Sequence, residues 1–563
     1  MRRSISLLLV LALAVLLLAG CASSSPMPLI PWPDETHDDV PATEATDAPT
    51  DPGTPVLPTE SDDPAATQDS TDVPGGDVQS GELTFTKDPN ALSDRSDVRY
   101  MLVYNPDFAQ DNEIRYNDTW IVPTRSTGNI STQIDVDIDR AGELEEKTFE
   151  FGWVSQGEIG EVDLGKMHFE SDRAGGLPPV YQVGDTHRFY TDNARFTDRT
   201  LDTYTCVYAG EHCYVWLDQN TTAPEDLLVR LGQGFDKDIY DMDVRLFGEG
   251  RFLEDGGKVN FLFYDIERNY MGYFCGVDNF YEDEWDPADA ALCKPNCGHA
   301  IIYVNAIIYV NAKCARDPAY ESSLYSTFAH EFQHQICHTS GITSYLSGHG
   351  AYADSWFNEA MSGFVEEYMY PGIQEYDGRY YALHTSETLR TGQSMYNFDI
   401  SQGIGAYGSV FLFAEYLANL AGDDVFHNFH DYWRYSGSPT LNTAEAIYNA
   451  VGEDVRAKIS AKYAYQLPGG GSEAELFLSK LLLDYYMTQL HFDSEDPEAF
   501  RLIEAKQLLY ASMYPDRLDV ENGGRAVFAV TGGSFTIPSD AKEGMVYIGL
   551  DSDYLPVGVV IVP

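Results

Sequence analysis

Residues 324–336 have an apolar periodicity that indicates a helix. Large apolar side chains recur at every fourth position, at Leu324, Phe328, Phe332 and Ile336. At about 100° per residue, these positions cover roughly 0° to 120° of a helical wheel. His330 and His334 fall at roughly 240° and 280°, on the opposite side. The pattern therefore predicts a helix that buries one face in the core and presents two imidazoles to a cleft on the other.

The polar face of this predicted helix carries the string HEFQH over residues 330–334. Because residues four apart on a helix lie one above the other, His330 and His334 can bind one zinc ion. The carboxylate of Glu331 lies beside them and can move a proton. The string therefore predicts a catalytic zinc site, which requires a third protein ligand and one open position for water.

The third zinc ligand has to come from further along the chain. His338 lies about 12 Å from His330 along a continuous helix, which is too far for both to share one small ion. Glu359 is the better candidate, because it lies on a second predicted helix that follows a Gly- and Ser-rich loop over residues 340–354. Such a loop can reverse the chain and bring the two helices together. Glu366, one heptad later on nearly the same helix face, is the alternative ligand.

The second helix and a third one supply further candidate residues. The second helix has its own apolar stripe, formed by Trp356, Ala360, Phe364 and Tyr368. Asn358 stands next to Glu359 and is a candidate polar neighbour of that ligand. Tyr407 opens another predicted helix and is the candidate hydrogen-bond donor to a tetrahedral intermediate. A tyrosine that only packs at the start of a helix is the alternative interpretation of Tyr407.

These residue types together indicate hydrolysis of a carbonyl substrate. A zinc ion lowers the pKa of a bound water toward ~7 and polarises a carbonyl group. Glu331 would take the proton of that water and deliver it to the leaving amine. The sequence therefore predicts a hydrolase that cleaves peptide bonds and uses Zn²⁺ as its cofactor.

Residues 1–20 have the pattern of an export signal rather than of a folded segment. Arg2 and Arg3 precede an unbroken apolar run over residues 7–18, which is too short for a typical membrane-spanning helix. The run ends in the string LAGC, which is similar to a bacterial lipobox and would be cleaved before Cys21. We expect Cys21 to be lipidated and to anchor the exported protein to a membrane at the bacterial cell surface. An ordinary secretory signal with a chance cysteine is the alternative.

Composition and patterning divide the rest of the chain into four parts. Residues 21–80 are rich in Pro, Thr, Ser and Asp and predict a disordered acidic tether. Strict alternation over residues 134–138 and a hairpin around Gly210 predict a β domain over residues 81–221. Residues 222–500 have a mixed α and β pattern that includes the zinc site. Strand signals return in residues 501–563, which predict a small C-terminal β unit.

Charge and cysteine content limit the partners and the covalent structure. The chain has 35 basic and 89 acidic residues and a net charge of −54. This charge argues against a nucleic-acid partner, whose phosphates require Lys and Arg. Cysteines of an exported protein tend to pair, and Cys206 and Cys213 could meet across the predicted hairpin. Free thiols are the alternative, and the connectivity does not follow from the sequence.

Three strings resemble the hyicolysin family of zinc metallopeptidases, which are gluzincins with a thermolysin-like core. They are FAHEFQH at 328–334, WFNEA at 356–360 and AYGSVFLF at 406–413. The resemblance extends over roughly residues 180 to 430. It implies an α+β fold with a thermolysin-like catalytic domain, His330, His334 and Glu359 as zinc ligands, and Glu331 as the catalytic acid and base. The chain departs from the family in having Ala360-Met361 where Gly-Leu is expected.

In a thermolysin-like core, an edge strand near the zinc helix binds the substrate. The string IIYVNA occurs twice in succession, over residues 301–306 and 307–312, just before that helix. An uninterrupted apolar run of this length is consistent with a strand. We therefore expect one copy to form the strand at this position, with the other as its extension or hairpin partner.

We therefore predict a surface-anchored zinc endopeptidase that acts on proteins or peptides. A gluzincin aminopeptidase is one alternative, but it needs a Gly-x-Met-Glu-Asn string upstream of the zinc helix. The similar residues here, 520–523, lie downstream of it. A surface adhesin or binding lipoprotein with an inactive or structural zinc site is the second alternative, supported by the tether and the flanking β regions. The oligomeric state does not follow from the sequence.

Overall fold

A computed structural model of the protein describes residues 85–93, 95–107, 150–154, 180–192, 199–250, 257–266, 270–279, 296, 306–346, 353–370, 394–397, 404–438, 440–467, 470–489, 520, 522–530, 535–539, 541–553 and 555–563. The predicted export signal with Cys21, the predicted tether, the alternating stretch at 134–138 and residues 301–305 of the first IIYVNA copy lie outside these residues.

The described strands form two sheets. The strands are β1 (Phe85–Thr86), β2 (Tyr100–Tyr104), β3 (Glu150–Val154), β4 (Thr186–Asp192), β5 (Arg199–Ala209), β6 (Cys213–Asp218), β7 (Val259–Tyr264), β8 (Tyr270–Cys275), β9 (Ile307–Asn311), β10 (Arg525–Ala529), β11 (Val546–Leu550) and β12 (Pro556–Ile561). One sheet has the order β3-β8-β9-β7-β6-β5-β4, and the other has the order β1-β12-β11-β2-β10.

Most of the described helices follow the larger sheet in the chain. The α-helices are α1 (Glu225–Gly234), α2 (Tyr240–Phe247), α3 (Ala312–Ala315), α4 (Glu321–Leu346), α5 (Ser355–Met369), α6 (Ile404–Ala421), α7 (Asp424–Tyr435), α8 (Thr443–Ala450), α9 (Gly452–Lys462) and α10 (Glu473–Gln489). The architecture is α+β, as predicted, and is compatible with a thermolysin-like domain plus a β domain. Among the described helices, none is both long and apolar enough to cross a lipid bilayer.

The larger sheet crosses the domain boundary predicted at residue 221. Strand β6 pairs in parallel with β7, with Trp216 opposite Leu262. All six residues of β7 are buried, and a strand buried on both faces belongs in the interior of a sheet. The strands assigned to a separate N-terminal β domain thus share one sheet with strands of the predicted catalytic domain.

The hairpin predicted around Gly210 is present between β5 and β6, but it does not join the two cysteines. In the register of this pair, Cys206 lies opposite Trp216 rather than opposite Cys213. Both thiols are buried and free. Of the two readings left open for this pair, free thiols therefore hold, because the sulfur of Cys206 lies near the carbonyl of Tyr208 and that of Cys213 near the carbonyl of Gly232.

The smaller sheet joins the two ends of the described chain. Strand β2 pairs antiparallel with both β10 and β11, and β1 pairs in parallel with β12. One face of this sheet packs on the helical part, where the Tyr104 hydroxyl donates to the carbonyl of Ser479 in α10 at 2.8 Å. The C-terminal β unit predicted for residues 501–563 therefore includes strands from the N-terminal side of the chain.

The second IIYVNA copy forms β9, which is an interior strand. It pairs in parallel with β7 and antiparallel with β8, and all five of its residues are buried. The expectation of an edge strand is therefore wrong for this copy, because β9 has a hydrogen-bonded strand on each side. Strand β8 lies between β9 and β3 in the sheet and also contacts the helix that carries the histidines.

Helix α4 has the two faces that its periodicity predicts. Its apolar stripe is fully buried, and the Phe328 ring stacks on Phe261 of β7 with a centroid distance of 3.7 Å and an interplanar angle of 4°. The Phe332 ring stacks on Tyr240 of α2 at 5.6 Å. The opposite face packs against α5. Both imidazoles are buried on the side of α4 that faces α5, and the predicted cleft beside them stays a prediction.

Candidate metal centre

Three donor atoms from α4 and α5 meet in the interior of the protein. The Nε2 atoms of His330 and His334 lie 3.0 Å apart. The Oε2 atom of Glu359 lies 3.4 Å from the first and 3.5 Å from the second. All three residues are buried. Among the described residues, their side chains form a group that could hold a metal ion. The three residues proposed as zinc ligands from the sequence are thus brought together.

The dimensions of this group fit a zinc ion. At zinc-to-ligand distances of about 2.0–2.2 Å, tetrahedral coordination separates ligand atoms by roughly 3.3–3.5 Å. The observed separations of 3.0, 3.4 and 3.5 Å are close to that range. In the described part of the chain, Oε2 of Glu359 accepts no hydrogen bond, although it is buried. A buried carboxylate oxygen without a hydrogen bond, facing two imidazole nitrogens, is the arrangement that a cation would satisfy.

Two further side chains of α5 contact the imidazoles. Nδ1 of His330 lies 2.6 Å from Oε1 of Glu366, and a carboxylate oxygen can only accept, so Nδ1 donates. The hydroxyl oxygen of Ser362 lies 3.2 Å from Nδ1 and 3.5 Å from Nε2 of His334. Glu366, left open as the alternative third ligand, therefore contacts the side of His330 that faces away from the three-donor group.

Glu331 is fully buried next to the two histidines in the chain. Neither of its carboxylate oxygens has a hydrogen-bond partner among the described residues. Burial raises the pKa of the Glu331 carboxyl to about 8, while the charge of His330 opposes that shift. A carboxyl group whose pKa lies near neutral pH can both accept and return a proton, as the predicted acid and base role requires.

The three-donor group has strongly coupled protonation equilibria. Burial disfavours a charged imidazole, but the Glu366 and Glu359 carboxylates outweigh it and raise the pKa of His330 to about 9. Burial raises the pKa of Glu359, but His334 and His330 outweigh it and lower that pKa to about 2. Burial also lowers the pKa of His334. In the metal-free protein, a proton on His330 therefore balances part of the carboxylate charge.

Strand β8 approaches Glu331 closely because it has a glycine at the contact. A Cβ atom on Gly272 would lie 2.7 Å from Cγ2 of Thr327 and 2.9 Å from the carbonyl oxygen of Tyr309. The same atom would lie 3.7 Å from Cγ of Glu331. A glycine at this position therefore lets the backbone of β8 lie directly beside the helix turn that carries Glu331.

The other residues that the sequence analysis proposed for the site are His338, Asn358 and Tyr407. His338 is buried on α4, where its Nδ1 lies 3.1 Å from Nδ2 of Asn279, and it is not part of the three-donor group. Asn358 is buried next to Glu359, and its side chain contacts His334. Tyr407 is buried on α6, which packs against α5, and its role as a donor to an intermediate stays a prediction.

Ser362 is a residue of the centre that the sequence analysis did not identify. Its position relative to Glu359 and Glu366 is the signal that was available, because residues spaced i, i+3 and i+7 share one helix face. Once Glu359 is taken as a ligand, Ser362 and Glu366 are the polar side chains on the same face that can reach the histidines.

Comparison with known proteins supports a relationship to metalloproteases. No protein-family model matches the chain. The chain is similar to neutral metalloprotease ShpI from Staphylococcus hyicus, with 26% identity over 285 residues. The similar stretch covers 50% of this chain and 60% of the length of that relative.

Proposed function

We propose that this protein is a zinc-dependent endopeptidase. The observation that carries the proposal is the buried triangle of His330, His334 and Glu359, whose donor atoms are 3.0, 3.4 and 3.5 Å apart. Glu331 adds a carboxylate of raised pKa one residue from the first histidine. The similarity to a neutral metalloprotease supports the same chemistry.

The residues of the centre have distinct roles in this proposal. His330, His334 and Glu359 hold the zinc ion, which supplies Lewis acidity and lowers the pKa of a bound water. Glu331 accepts a proton from the attacking water, and its burial beside the proposed metal ligands places a carboxylate where this transfer would occur. The same carboxyl then returns the proton to the nitrogen of the leaving amine.

Tyr407 is the proposed hydrogen-bond donor to the developing oxyanion. It lies on α6, which packs against the helix that carries Glu359. Its side chain is 4% exposed, so its hydroxyl would act in a site from which water is largely excluded.

The proposed location is the bacterial cell surface. Cys21 would carry the lipid anchor, and residues 22–80 would hold the enzyme away from the membrane. The absence of Lys and Arg between residues 22 and 86 supports this role, because an acidic linker without basic residues would repel itself. The proposed substrates are proteins or peptides that reach this surface.

Chelation tests the proposed activity. The protein is assayed with quenched peptides whose amino and carboxyl ends are both blocked, before and after treatment with a zinc chelator. Endopeptidase activity predicts cleavage of blocked peptides, loss of cleavage with the chelator and recovery when zinc is returned. Cleavage restricted to peptides with a free amino end would indicate an aminopeptidase. Cleavage that persists after complete zinc removal would contradict the proposal.

A further inference from the structure

One face of α5 contacts the donor group at two positions. Glu359 directs Oε2 toward the Nε2 atoms of both histidines. Glu366, seven positions later, lies 2.6 Å from Nδ1 of His330. Residues with this spacing lie on one side of a helix. A single helix face thus provides the third proposed ligand and a hydrogen-bond partner for His330.

We propose that Glu366 is a positioning residue that fixes the imidazole of His330 with Nε2 toward the metal. The assignment rests on the proposed zinc site and adds one residue to it. A neutral imidazole carries its proton on one nitrogen, and the partner of that nitrogen decides which one is left to bind metal. An acceptor at Nδ1 keeps the proton there and leaves the Nε2 lone pair for the ion.

The contact of Glu366 with His330 has the features that this role requires. Its contact with His330 is short, at 2.6 Å, and both residues are fully buried. A hydrogen bond to a buried carboxylate is stronger than one to a neutral acceptor. The negative charge also makes the imidazole a better electron donor to a cation. Glu366 therefore orients His330 and raises its affinity for the metal.

Ser362 does not give His334 a comparable partner. Its hydroxyl oxygen lies 3.2 Å from Nδ1 and 3.5 Å from Nε2 of that ring. An acceptor in line with an Nδ1–H bond lies far from the other ring nitrogen, so this oxygen does not select one nitrogen over the other. The hydroxyl has its own acceptors in Oε1 of Gln333 at 2.5 Å and the carbonyl oxygen of Asn358 at 3.0 Å.

The test is the zinc dissociation constant, measured by competition with a chromophoric chelator. Glu366→Met keeps the approximate volume but removes the acceptor, and Glu366→Gln keeps an acceptor without the charge. Asp484→Asn is the matched control. That buried carboxylate of α10 accepts from the hydroxyls of Tyr416 at 2.6 Å and Tyr463 at 2.7 Å and is not in the metal-binding group. Thermal unfolding of each metal-free protein is measured in parallel.

We expect Glu366→Met to weaken zinc binding by about 10- to 100-fold, with a smaller loss for Glu366→Gln. Asp484→Asn should lower the unfolding temperature and leave zinc affinity unchanged. Equal zinc affinity in wild type, Glu366→Met and Glu366→Gln would overturn the positioning role while leaving the proposed function intact. A loss of affinity in Asp484→Asn as large as in Glu366→Met would also overturn it. A wild-type protein that binds no zinc would overturn the metal site itself.

Discussion

The Nε2 atoms of His330 and His334 lie 3.0 Å apart in the protein interior. Two ring nitrogens at this separation share a proton in the metal-free protein, because two lone pairs facing each other would repel. A cation between them replaces that proton. Metal binding and proton release are therefore coupled at this site.

The first prediction is that zinc binding depends on pH. In the metal-free protein the pKa of His330 is raised to about 9, and the ring must lose its proton before it binds metal. At pH 7, binding should release at least one proton per zinc. The apparent affinity should rise about tenfold per pH unit from pH 7 and level off above about pH 9.

Calorimetry in buffers of different ionisation enthalpy counts the released protons. Competition titrations between pH 6.5 and 9.5 show how steeply the zinc affinity rises with pH. An affinity that does not change over this range, with no proton released, would contradict the raised pKa of His330.

The second prediction is that zinc stabilises the folded protein. An ion that binds the folded state alone adds about 2.7 kcal/mol at a free concentration 100 times its dissociation constant. A chelator should therefore lower the unfolding temperature, and zinc should restore it. His334→Ala and Glu359→Ala should abolish the response, because each removes one of three donors. Glu331→Gln should keep it, since Glu331 is not one of the donors. An unfolding temperature of the wild type that does not respond to chelation would contradict the site.

The third prediction concerns the contact between β8 and α4. Gly272→Ala would place a methyl group 2.7 Å from Cγ2 of Thr327 and 2.9 Å from the carbonyl oxygen of Tyr309. We expect a loss of stability of about 1–3 kcal/mol from overpacking, with a loss of activity because Glu331 lies at the same contact.

A second substitution, Thr327→Ser, tests whether the clash with Thr327 causes this loss. It removes Cγ2, the atom nearest to the new methyl group, and keeps the hydroxyl that donates to the carbonyl of Ser323. The double variant should recover part of the stability, measured by chemical denaturation, because the two positions are in contact. Strictly additive losses would show that the two side chains do not meet.

Features that depend on local sequence were predicted well. The stripe of Leu324, Phe328, Phe332 and Ile336 is buried, and His330 lies on the opposite face. Glu359 was selected by its position on a second amphipathic helix, and its carboxylate does meet both histidines. Helix periodicity is set within a few turns, so a single chain segment contains the necessary information.

Features that depend on partners far away in the chain were not predicted. Strand β2 pairs with β10 and β11, more than 400 residues away in the chain, and neither strand pattern specifies that partner. The position of β9 in its sheet was predicted wrongly for the same reason. Its apolar sequence fits an edge position and an interior position equally well, and only its distant partners decide between them. The role of Glu366 depends on which nitrogen of His330 it meets, and that follows from the packing of two helices.

The most direct test compares wild type with Glu331→Gln on casein and on an internally quenched peptide, with bound zinc measured in both. Glutamine has the same shape as glutamate but cannot accept the proton of water. The account predicts one zinc per chain in both proteins and a value of kcat/KM that is lower in the variant by about 10²- to 10⁴-fold. Equal cleavage by the two zinc-loaded proteins, or no cleavage by either, would contradict it.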